Sequence, residues 1–267
     1  MSVTIILIYL GVGAIAGVLA GLLGVGGGLV IVPMLVYCFT LQGLPNEHIM
    51  HIALGTSMAS IIFTSISSFM AHHKKGAVNW SVVKRISVGI VIGTFAGTWL
   101  ASGLSTAFLK GFFVIFLYYV ASQMVLGKQP PASRDLPGST GMFTAGGTIG
   151  VVSSLVGIGG GSLSVPFMIW CNVPVHTAIG TSAAIGFPIA VAGCVGFLVN
   201  GFKAVSLPPF SVGFIYLPAL IGIVLASVVT APLGVKLAHS LPVPRIKKIF
   251  AFLLFAVATK MAWGLIG

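Results

Sequence analysis

The chain has 267 residues, of which 57% are hydrophobic and 6% are charged. A soluble domain of this length has too little interior to bury so much apolar surface, so the composition excludes that class and indicates that lipid surrounds the protein. The net charge of +11 sets 13 lysines and arginines against Glu47 and Asp135. It does not indicate nucleic-acid binding, because the cations lie in short gaps between apolar segments, where they meet anionic membrane lipid.

Ten apolar segments follow one another and predict an all-α polytopic membrane protein. They cover residues 3–23, 29–42, 49–71, 82–102 and 107–126 in the first half, and 139–156, 163–172, 176–199, 210–233 and 246–266 in the second. A full crossing needs about twenty residues, so the short second segment of each half is expected to be a half-helix or a re-entrant piece. The first segment lacks the basic start and cleavage site of a signal peptide, and we expect it to stay as a helix.

The second half of the chain repeats the first. The matched stretches are "GVGGGLVIVP" (24–33) with "GIGGGSLSVP" (157–166), "HIALGTSMAS" (51–60) with "HTAIGTSAAI" (176–185), and weakly "GAVNW" (76–80) with "KAVSL" (203–207). Several matches in the same order indicate an internal duplication. We therefore predict one transmembrane repeat over 1–126, a linker over 127–138 and a second transmembrane repeat over 139–267.

Basic residues predict opposite orientations for the two repeats. In the first repeat they cluster around the gap between the third and fourth segments, and in the second around the gap between the fourth and fifth. The residues concerned are Lys74, Lys75, Lys84 and Arg85, and Lys236, Arg245, Lys247 and Lys248. The positive-inside rule places both gaps and the linker in the cytoplasm, and both termini outside. The repeats are thus expected to have inverted topology, an architecture that recurs in transporters.

A glycine-rich stretch interrupts the apolar pattern just before the short second segment of each repeat. Such a break is tolerated in a membrane only where protein or a watery cavity surrounds it. Consecutive glycines expose backbone N–H groups, and a helix N-terminus adds partial positive charge, so the stretches predict an anion site between the repeats. The alternative is close helix packing by glycine. Two matched copies, each closing on a proline, favour the anion site.

Four further repeated pairs of residues, of serine, threonine, histidine and cysteine, are candidates for this site. Serine and threonine hydroxyls donate to oxyanions, although they also bond back to their own helix carbonyls. Histidine attracts an anion when protonated, or starts a helix with a backbone hydrogen bond. Cysteine is a weak donor, or a small buried hydrophobe. The expected substrate-binding residues are Gly26, Gly27, Gly28, Pro33, Cys38, His51, Thr56 and Ser57, and Gly159, Gly160, Gly161, Ser162, Pro166, Cys171, His176, Thr181 and Ser182.

The other polar residues are expected to lie outside the site. Lys260 should extend to the nearby interface and Cys194 should pack. The remaining histidines, which should be solvated in loops, are His48, His72, His73 and His239. The sequence has no metal-ligand spacing, paired carboxylates or catalytic triad pattern, so we expect no metal, no cofactor and no enzymatic activity.

The stretches "GLLGVGGGLVIVPML" and "SLVGIGGGSLSVPFM", each followed by a "GTS" element, resemble the TauE/SafE family of sulfite and organosulfonate exporters over essentially the whole chain. The resemblance implies a transporter that exports sulfite, sulfoacetate or a related organosulfonate across the bacterial inner membrane, with periplasmic termini. An anion channel or an uptake transporter of the same fold stays open as an alternative, as does a structural role. The first repeat departs from the second by an additional stretch, "TLQGLPNEHIM", before His51.

The scarcity of acids bears on energy coupling. Coupled transporters commonly bind H⁺ or Na⁺ at an intramembrane carboxylate. Glu47 lies in a loop and Asp135 in the linker, so a carboxylate coupling site is not expected. Export of an anion needs none, because a negative-inside potential favours its exit by about 2.3 kcal/mol per charge per 100 mV.

Overall fold

The structure, a computed structural model, describes residues 3–126, 134–205, 207–240 and 243–266. Within these residues the chain forms ten α-helices and one two-stranded β-sheet. The helices are α1 (Val3–Leu23), α2 (Gly28–Leu41), α3 (Ile49–His73), α4 (Trp80–Ser102), α5 (Thr106–Leu126), α6 (Ser139–Val156), α7 (Gly161–Trp170), α8 (Val175–Gly201), α9 (Leu217–Ser240) and α10 (Val243–Ile266). The strands β1 (Ser211–Val212) and β2 (Ile215–Tyr216) lie between α8 and α9.

Each predicted apolar segment overlaps one helix, so the prediction of an all-helical polytopic membrane protein is confirmed. Seven of the described helices are long and apolar enough to cross a membrane: α1, α3, α4, α5, α8, α9 and α10. α6 is not among them, because glycine, serine and threonine lower its hydropathy. α2 and α7 have 14 and 10 residues, fewer than the about twenty that a crossing requires. Most of the predicted linker lies outside the described residues.

The fourth segment of the second half is displaced from its predicted position. We expected it over 210–233, whereas α9 runs from Leu217 to Ser240. The residues before it form a tight antiparallel hairpin, β1 paired with β2, which turns at Gly213 with a φ of 56°. The hairpin carries buried apolar side chains such as Phe214 and Tyr216. Hydropathy alone does not distinguish such residues from the start of a helix, and the predicted boundary was therefore wrong.

The two halves of the chain are interleaved. α1 packs along α9, and α6 packs along α4, so the first helix of each half lies on the fourth helix of the other. At both interfaces, glycines spaced four residues apart sit where an added Cβ would collide with the partner helix. They are Gly13, Gly17 and Gly21 on α1, and Gly89, Gly93 and Gly97 on α4. Close packing of helices is the role of these glycines.

α3 and α8 cross the centre of the protein in opposite directions. Near the start of α3, Met58 lies against Gly193 of α8, and at the end of α3, His72 lies against Gly180. α5 and α10 are also antiparallel, because Lys110 donates to the carbonyl of Gly264 and Tyr118 is hydrogen-bonded to Thr259. The central pair α3 and α8 supports the loops described next.

Candidate functional site

Two glycine-rich loops meet in the middle of the protein. One joins α1 to α2 and the other joins α6 to α7. Gly26 faces Gly159 so closely that a Cβ added to Gly26 would lie 3.2 Å from the Cα of Gly159. Across the same contact, Gly28 lies against the carbonyl of Gly157. The two predicted helix breaks therefore form one contact, which requires the absence of side chains in both loops.

Each loop presents backbone donors at the start of a short helix. Gly27 and Gly160, which precede α2 and α7, have φ values of 80° and 75°, a left-handed conformation that favours glycine. Within the described chain, the N–H groups of residues 26–28 and 159–161 donate to no protein acceptor. Two helix N-termini with unpaired donors thus begin at the loop contact, where the helix dipole favours an anion.

Two serines of the GTS elements tie the loops to the rest of the protein. Ser57 on α3 donates to the Gly157 carbonyl at 2.8 Å, and Ser182 on α8 donates to the Gly24 carbonyl at 3.0 Å. Because its own proton is engaged, Ser182 accepts the hydrogen bond that joins it to Ser164 at 2.8 Å. The two hydroxyls bond to loop carbonyls rather than to their own helices, and they hold both loops in place.

The threonines of the GTS elements hold the connections between the third and fourth helices. The Thr181 hydroxyl accepts from the backbone N–H of Asn79 at 2.8 Å, and the Thr56 hydroxyl accepts from that of Tyr216 at 2.9 Å. Asn79 and Tyr216 thus make the same kind of contact, each with the threonine of the GTS element in the other half. These bonds do not involve the stretch 203–207, and its weak match with "GAVNW" stays a prediction.

The matched histidines His51 and His176 have different surroundings. His51 is buried, and its Nε2 donates to the carbonyl of Ala101 at 3.0 Å, which is the backbone bond that the helix-start alternative predicts. His176 is exposed and stacks on His239, with ring centroids 5.1 Å apart. The loops are thus not flanked by two equivalent imidazoles.

The prolines and cysteines lie farther along the short helices. Pro33 is buried and Pro166 is exposed. Cys38 and Cys171 are buried free thiols, separated from the loops by about 15 Å of helix at 1.5 Å per residue. The structure therefore does not bring the cysteines to the loop contact. Ser162, beside the second loop, has a buried hydroxyl with no partner in the described part of the chain.

A polar face of α3 is the feature that the sequence analysis missed. Ser65 and Ser68 line a narrow pocket beside Gly24 and Gly26 that is too constricted to admit a water molecule. Its other lining residues are Ala20, Ala183 and Gly186. The recurrence of hydroxyls within an apolar helix was the available signal.

His72, which we expected to be solvated, is 1% exposed and donates from Nε2 to the Gly21 carbonyl at 2.9 Å. That prediction is wrong because α3 continues through residue 73 and brings the imidazole against α1.

Charged side chains lie away from the loop contact. Glu47 and Asp135 are exposed. The Lys260 ammonium lies 4.1 Å from the ring centroid of Tyr37, over its face. Among the described residues, no group of three His, Cys, Asp or Glu side chains is arranged to hold a metal ion. An anion at the loops would therefore be held by backbone N–H groups and the N-terminal dipoles of α2 and α7.

Comparison with known proteins gives a consistent result. Residues 9–261 match the family model described as Sulfite exporter TauE/SafE. A "Probable membrane transporter protein" of Haemophilus influenzae is 39% identical, over 97% of this chain and 98% of its own. The "Probable membrane transporter protein YunE" of Bacillus subtilis is 31% identical, over 74% of this chain and 79% of its own. A Methanocaldococcus jannaschii protein of the same description is 28% identical, over 85% and 84%. No solved structure matches the chain.

Proposed function

Because the chain belongs to the sulfite exporter TauE/SafE family, we propose that it exports a small sulfur oxyanion, such as sulfite, sulfoacetate or a related organosulfonate, across the bacterial inner membrane. The protein is a multi-pass membrane transporter and not an enzyme. The proposal that the substrate is a small sulfur oxyanion rests on one observation. The N–H groups of two glycine loops meet at the start of two short helices without protein acceptors.

Backbone donors suit this substrate class. A sulfur oxyanion spreads its charge over several oxygens, and convergent N–H groups at helix N-termini bind such a group without a fixed cation. A site without a lysine or arginine also releases the anion more readily, because the attraction to a full charge in a low dielectric is stronger. The proposed contacts are the glycines at 26–28 and 159–161 with the neighbouring Ser162. Ser57, Ser182, Thr56 and Thr181 hold the frame around them.

Two inverted repeats that alternate access form the second part of the proposal. The antiparallel packing of α3 on α8 and of α5 on α10 supports it, since these are corresponding helices of the two halves. The reciprocal packing of α1 on α9 and α6 on α4 supports it as well. The constricted pocket beside the loops favours an occluded carrier over an open channel. The membrane potential would drive export without an intramembrane carboxylate.

Thermal stability of the purified protein tests the substrate class. We expect sulfite or an organosulfonate to raise the melting temperature with saturable dependence, since a ligand that binds only the folded state stabilises it. The screen also includes sulfate, thiosulfate, sulfoacetate, taurine and chloride. Proteoliposomes should then show saturable flux of the stabilising anion and counter-transport. If no sulfur anion stabilises the protein or crosses the membrane, the proposal is wrong.

The inverted topology predicts which cations share a side of the membrane. In a background without native cysteines, Lys75→Cys and Lys248→Cys should react with an impermeant thiol reagent from one side of oriented vesicles, and Lys203→Cys from the other. The reason is that Lys75 lies just after α3 and Lys248 near the start of α10, each beside one of the two basic gaps, whereas Lys203 stands alone between α8 and α9. Labelling of Lys75→Cys and Lys248→Cys from opposite sides would contradict the inverted model.

A further inference from the structure

A line of polar side chains, which we call the α3 lane, leads from the first glycine loop to one end of the protein. It consists of Ser65, Ser68 and His72, which recur every three or four residues and therefore share a face of the helix. All three are at most 2% exposed. Ser65 and Ser68 line the pocket beside the loop, and His72 follows one turn beyond Ser68, against the carbonyl of Gly21.

The corresponding face of α8 is apolar and filled. Counted from the two GTS elements, the positions equivalent to the α3 lane are Ala190, Gly193 and Phe197. Met58 occupies the space at Gly193, where an added Cβ would lie 2.9 Å from the Met58 sulfur. Phe197 is fully buried. The two routes away from the glycine loops are therefore chemically different. The α3 lane has an imidazole and two hydroxyls, which donate to the carbonyls of Ile62 and Ala20 at 3.0 and 3.4 Å and can accept from the hydration water of a polar solute.

The α3 lane ends at a cluster of histidines from three helices. The ring of His72 lies 5.7 Å from that of His239 at the end of α9, and His176 at the start of α8 stacks on His239 at an angle of 17°. His176, His239 and Lys75 are exposed, while His72 is buried beneath them. The ammonium group of Lys75 lies near both His72 and His239. In the described chain, the buried Nδ1 of His72 has no hydrogen-bond partner.

We propose that His72, His176, His239 and Lys75 form a capture site for the transported oxyanion, and that the α3 lane carries the anion between this site and the glycine loops. The inference rests on the proposed function, because it takes the substrate to be an anion. A buried imidazole nitrogen without a partner is unfavourable. Because Nε2 carries the proton that is donated to Gly21, Nδ1 of the neutral ring is an acceptor, and a water molecule that hydrates the anion in the lane would donate to it. The basic gap beside His72 places this end in the cytoplasm in the proposed topology.

Positive charge and ring N–H groups make up the capture site. The ammonium group of Lys75 supplies the charge, and the exposed rings of His176 and His239 supply N–H donors beside it. The groups that face His72 are the imidazoles of His176 on α8 and His239 on α9, together with Lys75. From α1, the carbonyl of Gly21 contacts it. Removal of the ammonium group or of both exposed imidazoles should therefore weaken the binding of an anion from this side.

Thiol accessibility tests the route. Ser65→Cys and Ser68→Cys, each in a background without native cysteines, should be modified by an anionic, membrane-impermeant methanethiosulfonate added at the His72 side, with loss of sulfite flux. Ala190→Cys is the matched control, since Ala190 is equally buried at the corresponding position of α8, and it should stay unmodified. Absence of modification at both serine positions, or equal modification of Ala190→Cys, would overturn the route.

Removal of its charge and of its donors tests the capture site. Lys75→Gln and the double variant His176→Asn/His239→Asn should each reduce the initial rate of sulfite flux from the His72 side severalfold at sulfite concentrations below saturation, and much less at saturation. Each rate is expressed as a ratio to that of the unsubstituted protein at the same sulfite concentration. The control is His73→Asn, because His73 is an exposed histidine at the same end of the protein. Its ratio should stay near one.

The outcomes separate this inference from the proposed function. Rates of flux from the His72 side that stay unchanged in Lys75→Gln and in the double variant would overturn the capture site. If sulfite is transported but the cysteines introduced in the α3 lane do not react, the route is refuted and the proposed substrate class is not. Labelling of the lane without binding of any sulfur anion would refute the substrate class, and with it the identity of the captured ion.

Discussion

Alanine at Gly28 or Gly161 is expected to lower the free energy of unfolding by about 1–3 kcal/mol, the usual effect of overpacking a tight interior. An added Cβ would collide with a carbonyl oxygen of the opposite loop, that of Gly157 for Gly28 and that of Gly24 for Gly161. The obstacle is backbone rather than the end of a flexible side chain, so it does not move aside easily. Thermal unfolding of the purified variants measures the loss.

Gly111→Ala provides the matched control for these substitutions. Gly111 lies in α5, and nothing is within 4 Å of a Cβ added there. Because alanine is the better helix former, by up to about 1 kcal/mol, this variant should be as stable as the original protein or slightly more so. Equal destabilisation at Gly28, Gly161 and Gly111 would show that the loop contact imposes no special demand for glycine.

The second large effect is expected from Ser57→Ala and Ser182→Ala. Each removes the donor to a loop carbonyl buried within the protein, and an unpaired buried group costs about 1–3 kcal/mol. Ser182→Ala should cost more than Ser57→Ala, because it also deprives Ser164 of its acceptor. Chemical or thermal unfolding of both single variants checks the order as well as the size.

Ser87→Ala serves as the reference for the serine variants. The Ser87 hydroxyl donates to the carbonyl of Val83 in its own helix, so its removal leaves that carbonyl in the helical hydrogen-bond pattern. The change in stability should stay within about 0.5 kcal/mol. If Ser57→Ala and Ser182→Ala are as mild as this reference, their bonds do not hold the loops.

The features that could be predicted from the sequence are those with local or repeated signals. The lengths of the apolar segments identified the ten helices and the shortness of α2 and α7. The repeated glycine stretches located both loops. The contact between Gly26 and Gly159 was suggested only by the duplication. No local pattern in either stretch specifies a partner 133 residues away along the chain.

The features that could not be predicted depend on packing between distant segments. His72 looked like a loop residue because it stands beside basic residues at the end of an apolar segment, and its burial depends on Gly21 of α1. The hairpin before α9 was concealed by apolar residues such as Phe214, whose side chain is buried inside the fold. Ser65 and Ser68 drew no attention because they have no polar counterparts in the second half.

The interleaving of α1 with α9 has a consequence for how the chain is made. Proteins are synthesised from the N-terminus, and α1 ends at Leu23 whereas α9 begins at Leu217. The surface of α1 that is formed by Gly13, Gly17 and Gly21 therefore faces lipid or another protein until most of the chain has left the ribosome. A nascent chain that stops before Leu217 leaves this surface of α1 uncovered, so the last fifth of synthesis completes the packing of the first helix.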